Sequence, residues 1–301
     1  MSVISEILKA GEARMRERMS RAPLAEVKAA AADAPRCATS FRQELERGRF
    51  GIVAEIKRRS PSTGPMGTGN VDRALDVYRA CPEVVAISIL TNEDHFGNSL
   101  ADLRRARALT PKPLLRKDFI LDPYQVWEAR AAGADAILLM AGLLPDANRS
   151  RELFELAKSL GMDVLFEIGM GERPLSQQIA IVPAAAEIFG VNSRHFRSSR
   201  LGLRAKLGKL IGKDFWTDPT RHRDLLRFVP AGKIAIAESG VHAPADVHGL
   251  ASIGYRAVLV GTAFLREGAD VEQVVAAFAS QVGSVVRQTS QGSVLASNAT
   301  G

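Results

Sequence analysis

The feature that most constrains the fold is an alternation of short apolar runs with longer amphipathic segments, repeated eight times between Gly51 and Gly261. Its clearest instance is Pro113–Gly142. Leu114 and Leu115 end on Arg116-Lys117-Asp118, and Asp122-Pro123 opens a segment with Val126, Ala129 and Ala132 on one side. Gly133 stops that segment and Ala136–Leu139 begins the next apolar run. Asp-Pro is a helix start and Gly a helix stop, so the stretch spells strand, helix, strand, with a lysine where the first strand ends. A lone lysine there is commonly a salt-bridged surface group; the other strand ends decide whether it is a site residue.

The remaining strands are predicted at Gly51–Lys57, Val84–Leu90, Asp163–Glu167, Glu187–Asn192, Lys233–Glu238 and Ala257–Gly261. Helices are predicted at Val71–Ala80, Leu100–Leu109, Arg151–Leu160, Pro174–Ile181, Arg221–Phe228, Pro244–Ile253 and Val271–Val285. Most of the strand runs are apolar throughout, as parallel strands covered by helices must be, and eight of them in strict alternation predict a (β/α)8 TIM barrel. The main competitor is an open doubly wound sheet. That fold usually carries a glycine fingerprint in a tight turn after its first strand, and the glycines of RRSPSTGPMGTGN lie in a loop too long for such a turn, so they read as flexible loop.

At 301 residues and 46% hydrophobic content the chain is sufficient for one barrel. Residues 49–287 form it. Residues 1–48 form an N-terminal helical extension, with Ile4, Ile7 and Leu8, then Leu24, Val27 and Ala31 at helical spacing and a break near Arg21-Ala22-Pro23. This extension is long enough to cap one end of the barrel or to close over its mouth. The polar, small-residue stretch 288–301 reads as a disordered tail.

The net charge of +7 comes almost entirely from 197–213, where Arg197, Arg200, Arg204, Lys206, Lys209 and Lys213 stand without an acid. A protein-wide attraction to nucleic acid is therefore not implied. Leu203, Leu207, Leu210 and Ile211 recur at helical spacing within that insertion. An amphipathic helix packed on the barrel rim is the leading reading, with a partner or surface contact and a lid over the mouth as alternatives. Cys37 and Cys81 make no CxxC spacing and the five histidines no HExxH pattern. The apolar run Ala136–Leu144 falls short of the ~20 residues of a membrane span. Together these predict a cytoplasmic protein without a membrane span or a disulfide framework.

In a barrel all strand ends converge on one mouth. Those ends carry Glu55 and Lys57, Lys117, Glu167, Asn192 and Arg194, Glu238 and Ser239, and Gly261-Thr262. Three acids and three bases in one cavity cost several kcal/mol each unless pairing or function holds them, so the set reads as an active site. Ser239-Gly240 and Gly261-Thr262 follow the last two strands, where barrels commonly bind phosphate on backbone N–H groups, and Lys57 and Ser60 reach the same place from the first strand.

Five segments carry a resemblance to a known family. AEIKRRSPSTG (Ala54–Gly64), LTNEDHFGNSLADL (Leu90–Leu103), LLRKDFILDPYQVWEARAAGADAILLM (Leu114–Met140), FGVNSRHF (Phe189–Phe196) and AESGV (Ala237–Val241) resemble indole-3-glycerol-phosphate synthase of tryptophan biosynthesis, from the N-terminal helices to about Glu267. The resemblance implies ring closure of 1-(2-carboxyphenylamino)-1-deoxyribulose 5-phosphate, with loss of carbon dioxide and water. It implies neither a metal nor an organic cofactor. Attack of an aromatic carbon on a ketone needs a proton donor at the developing alkoxide, and the resemblance gives that role to Lys117. For dehydration it suggests Glu167 with Lys57 on the acid side and Glu55 as base. Asn192 and Ser239 then bond the sugar hydroxyls, Arg194 and Glu238 orient neighbours, and Phe96 and Phe119 pack the anthranilate ring.

Two departures stand out. Gly169 lies where the family usually has a polar residue, often His, and the loop after strand six is longer than usual. The alternatives are a paralogue acting on a related anthranilate-derived sugar phosphate, a phosphoribosylanthranilate isomerase-like barrel, and a catalytically silent binding subunit. The isomerase needs a Cys/Asp pair and neither cysteine is at a strand end; a silent barrel should lose charges at the mouth, and all are present.

Overall fold

The computed structural model describes residues 3–47, 49–61, 63–171, 173–196, 215–217 and 220–298. Eight parallel strands close into a barrel: β1 (Gly51–Ile56), β2 (Val84–Leu90), β3 (Leu114–Lys117), β4 (Ala136–Met140), β5 (Asp163–Ile168), β6 (Ile188–Asn192), β7 (Ile234–Glu238) and β8 (Ala257–Val260). Each pairs with its sequence neighbours, and β1 closes the ring against β8 with Ala54 opposite Val260. The open-sheet alternative is thereby excluded.

Period-two alternation sorts every strand into two environments. On β1, Ile52, Ala54 and Ile56 face outward and pack with helix residues such as Val71, Tyr78 and Phe278. Val53 faces inward, in a cluster with Leu115, Leu138, Leu165, Ile236 and Leu259. Two residues on along β1, β3, β5 and β7 from that apolar layer stand Glu55, Lys117, Glu167 and Glu238. The interior therefore changes from hydrocarbon to charge within one step of the alternation.

The N-terminal extension works at both ends of the barrel. Helix α1 (Val3–Arg21) lies at the mouth, where Arg14 pairs with Asp94 just after β2 and Arg18 with Glu128. Helix α2 (Leu24–Asp33) follows, buried at Val27 and Ala31. Helix α3 (Phe41–Glu46) closes the floor: Phe41 and Leu45 join the interior apolar cluster, and the Arg42 N–H donates to Asp163 at the start of β5. Six residues give α3 no periodicity to read, but Ser40 and Gln43 form a capping box at its start.

Other differences from the sequence reading are local. The helix Ala147–Ser159 begins a turn earlier than predicted because the Asp146 side chain accepts from the Arg149 N–H. The loop after β1 contains a small antiparallel ribbon, Arg59–Ser60 with Gly64–Pro65. The last helix runs Val271–Asn298, so the stretch from Gln288, read from sequence as a disordered tail, is helical to Asn298; the segment holds no proline to stop propagation. The insertion 197–213 lies outside the described residues. Its two ends are held together by an antiparallel ribbon, Arg194–Phe196 with Phe215–Thr217. Among the described residues no helix is long and apolar enough to cross a membrane.

Candidate active site

The C-terminal strand ends enclose a cavity of about 420 Å³. Its floor holds a chain of charges. Glu55 lies between two lysines, with Lys57 Nζ at 2.5 Å from Oε1 and Lys117 Nζ at 3.1 Å from Oε2. Lys117 Nζ also lies 3.0 Å from Glu238 Oε2. Such contacts are charge-assisted and shielded from water, so each ion sets its neighbours' proton affinity.

Burial alone would raise the Glu55 carboxyl, yet the Lys117 and Lys57 ammoniums hold it down to about 2. Burial likewise opposes the charge on Lys117, but Glu238, Glu55 and Glu167 together keep it well above the usual lysine range. Lys57 moves the other way: burial lowers it against the single favourable neighbour Glu55, with Arg194 and Lys117 adding repulsion. Glu167 is pushed up to about 8, first by burial and then by the Glu238 carboxylate, against the pull of Lys117 and a hydrogen bond from Asn192. Its Oε1 has no hydrogen-bond partner among the described residues. Around neutral pH the buried Glu167 carboxyl thus carries a proton while Glu55, between its two lysines, is ionised.

The upper walls divide by chemistry. Phe96, Phe119, Leu138, Met140 and Met170 make an apolar side, while Asn192, Arg194, Ser239, Gly240, Gly261 and Thr262 line the polar side. Ser239 has φ 62 and Gly240 φ 71, a left-handed pair directly after β7. Glu238 sits beneath the lining, fully buried against Lys117. Ser60 is buried in the ribbon after β1, and Thr63 of that ribbon lines the cavity instead. All the other residues singled out from the sequence line the cavity.

Several residues that matter to this geometry were not singled out. Asp118 Oδ2 accepts from Thr91 Oγ1 (2.8 Å) and Arg116 Nη2 (2.9 Å), and its Oδ1 from the Phe119 N–H (2.9 Å). Arg116 is fully buried on the outer face, so the alternation sends Lys117 inward. Gln125 Oε1 accepts from the Leu121 and Asp122 N–H groups while its Nε2 donates to the Phe119 carbonyl. KDFILDPYQ is thus a self-bracing segment that aims Lys117 and Phe119.

Gly190 on β6 makes room for the floor, since a Cβ there would fall 1.9 Å from Glu238 Oε1. Gly169 is likewise dictated by its surroundings: its φ is +98, a Cβ would meet the Asn192 carbonyl oxygen at 2.4 Å, and its N–H donates to Gln178 Oε1. The position where the resemblance calls for a polar side chain is closed to any side chain here.

Fold and mouth together define a (β/α)8-barrel enzyme with a buried acid–base array at its strand ends. A family model described as indole-3-glycerol phosphate synthase matches residues 4–278. Among similar proteins, the indole-3-glycerol phosphate synthase of Nocardioides sp. (strain ATCC BAA-499 / JS614) is 37% identical over 270 residues, covering 89% of this chain and 95% of its own. That of Paenarthrobacter aurescens (strain TC1) is 36% identical over 283 residues, covering 91% and 94%. The chain belongs to the indole-3-glycerol-phosphate synthase family, carboxy-lyases of tryptophan biosynthesis. Solved structures share the fold alone: 3-hexulose-6-phosphate synthase from Salmonella typhimurium matches with TM-score 0.55 at 15% identity, over 78% of this chain and 100% of its own. N-(5'-phosphoribosyl)anthranilate isomerase from Pyrococcus furiosus matches with TM-score 0.51 at 11% identity, over 78% and 99%.

Proposed function

We propose that this mouth converts 1-(2-carboxyphenylamino)-1-deoxyribulose 5-phosphate to indole-3-glycerol phosphate, with Lys117 as the first proton donor. The observation that carries this reading is Lys117 Nζ held between Glu55 and Glu238 at 3.1 and 3.0 Å on the cavity floor. In the first step the ring carbon bearing the carboxylate attacks the ketone, and the carbonyl oxygen takes the Lys117 proton. An alkoxide is more basic than the lysine amine left behind, so the transfer runs downhill even from a lysine whose proton is held tightly. Loss of carbon dioxide then restores the aromatic ring.

Dehydration removes the new hydroxyl and a proton from the carbon beside the nitrogen. Glu167, protonated near neutral pH, suits the donation to the departing hydroxyl, with Lys57 lining the same cavity. Glu55 is too weak a base while two ammoniums flank it. Lys117 contributes the largest lowering of its pKa, so discharge of Lys117 in the first step restores basicity to Glu55 for the second. Phe96 and Phe119 bed the aromatic ring, and Asn192 and Ser239 hold the sugar hydroxyls. Arg194 and Glu238 fix the surrounding charges, and the N–H groups of Gly240, Gly261 and Thr262 receive the phosphate, with Ser60 holding the β1 ribbon that flanks it.

The relatives give no support to the paralogue or to the silent binding barrel. We place the enzyme in the cytoplasm on its free cysteines and biosynthetic family. Its partner is a small sugar phosphate rather than nucleic acid. Incubation of the purified chain with the carboxyphenylamino substrate should release carbon dioxide and the indole product in equal amounts. Failure to form the indole would overturn the assignment.

A further inference from the structure

We propose that His222 is a positioning residue for the anion-binding backbone at the mouth: its ring holds the Ser239–Gly240 peptide so that the Gly240 N–H faces the cavity. The inference rests on the reading above that a phosphate sits there. His222 belongs to the short helix Arg221–Leu226, which the sequence marks only as an ordinary barrel helix, yet its side chain is buried. Nε2 lies 2.9 Å from the Ser239 carbonyl oxygen. A carbonyl only accepts, so Nε2 carries the proton and donates it.

The other side of the ring is fixed as well. Nδ1 lies 3.2 Å from the Tyr255 hydroxyl oxygen, that hydroxyl donates its one proton to the His222 carbonyl at 3.0 Å, and the two rings meet edge to face. Tyr255 stands just before β8, so His222 is clamped between the exit of β7 and the approach to β8. The neighbouring Arg221 reaches the carbonyls of Ser193 and Arg194 after β6.

The consequence follows from peptide geometry. In a trans peptide the C=O and the next N–H point in opposite directions. With the Ser239 C=O tied back to His222, the Gly240 N–H is turned the other way, and Gly240 lines the cavity. Among the described residues Ser239 is the one non-glycine with positive φ, a conformation that persists only where its surroundings hold it. The His222 donor is the side-chain bond that fixes this peptide.

The test compares His222→Gln with His222→Asn. A glutamine amide nitrogen reaches the place of Nε2, whereas an asparagine amide stops at the place of Nδ1, so both are polar but only Gln keeps the donor. Inorganic phosphate is the probe, as a competitive inhibitor, alongside KM and kcat. The Asn variant should raise KM and the phosphate inhibition constant together by about 10-fold, the worth of one charge-assisted hydrogen bond at the lower end, with kcat little changed. The Gln variant should stay near wild type. Tyr255→Phe, which frees the far side of the ring, should shift both constants in the same direction by less, and serves if the Asn variant does not fold. Equal phosphate inhibition of wild type, Asn and Tyr255→Phe variants, or a loss confined to kcat, would overturn the role of His222 alone. A wild type that phosphate does not inhibit competitively would overturn the phosphate site and this inference with it.

Discussion

Replacing Glu167 by glutamine should make the protein more stable at alkaline pH while destroying its activity. The folded Glu167 carboxyl titrates at about 8 against an ordinary value of 4.5. Between those values the unfolded chain sheds a proton that the folded protein keeps. The contribution of this group to stability is therefore complete below about pH 4.5 and is lost as the pH rises through 8. At 1.36 kcal/mol per pH unit the loss is on the order of 5 kcal/mol. Glutamine has the same shape and nothing to lose. Relative to their difference at pH 5, the Glu167→Gln variant should gain about 5–10 °C in Tm over wild type at pH 9, read by circular dichroism. Glu55, held down to about 2, has the opposite sign: its contribution is present above about pH 4.5 and fades only as the pH falls toward 2, outside this range. The same variant should lose at least ~100-fold in kcat, as removal of a positioned proton carrier does. A Tm difference that stays constant from pH 5 to 9, or that favours wild type as the pH rises, would refute the reasoning.

Gly190→Ala puts a methyl where Glu238 Oε1 now sits, displacing that carboxylate from Lys117, and should cost at least ~30-fold in kcat/KM by steady-state assay, a general acid being worth 10²–10⁴. Gly169→His forces a side chain into a left-handed position against the Asn192 carbonyl; melting curves should show a Tm several degrees lower rather than a gain in function. Deleting 198–212 should leave the barrel folded, because the ribbon Arg194–Phe196 with Phe215–Thr217 already brings the ends together. A molten circular dichroism spectrum from that deletion would show the insertion to be structural.

The strand ends were legible because apolar runs such as Gly51–Ile56 and Ile234–Glu238 carry an acid at or one residue before their end, and the barrel's topology makes those ends neighbours of one another. The wrap of Asp118, Thr91 and Arg116 around Phe119 was hidden because a charge cluster in sequence does not say which face each member takes. Gly190 and His222 were hidden for a different reason. Each acts across to another strand, on Glu238 and on the Ser239 carbonyl, and only the assembled barrel sets those distances. Helix α3 was too short for periodicity, and the length of the last helix turned on the absence of a breaker rather than on the presence of a pattern.

The account turns on Lys117 as the group that protonates the substrate oxygen, and a single-turnover absorbance measurement of indole formation tests it most directly. With enzyme in excess over the carboxyphenylamino substrate, Lys117→Ala should slow the chemical step at least ~100-fold relative to wild type. A rate for Lys117→Ala equal to that of wild type would contradict it.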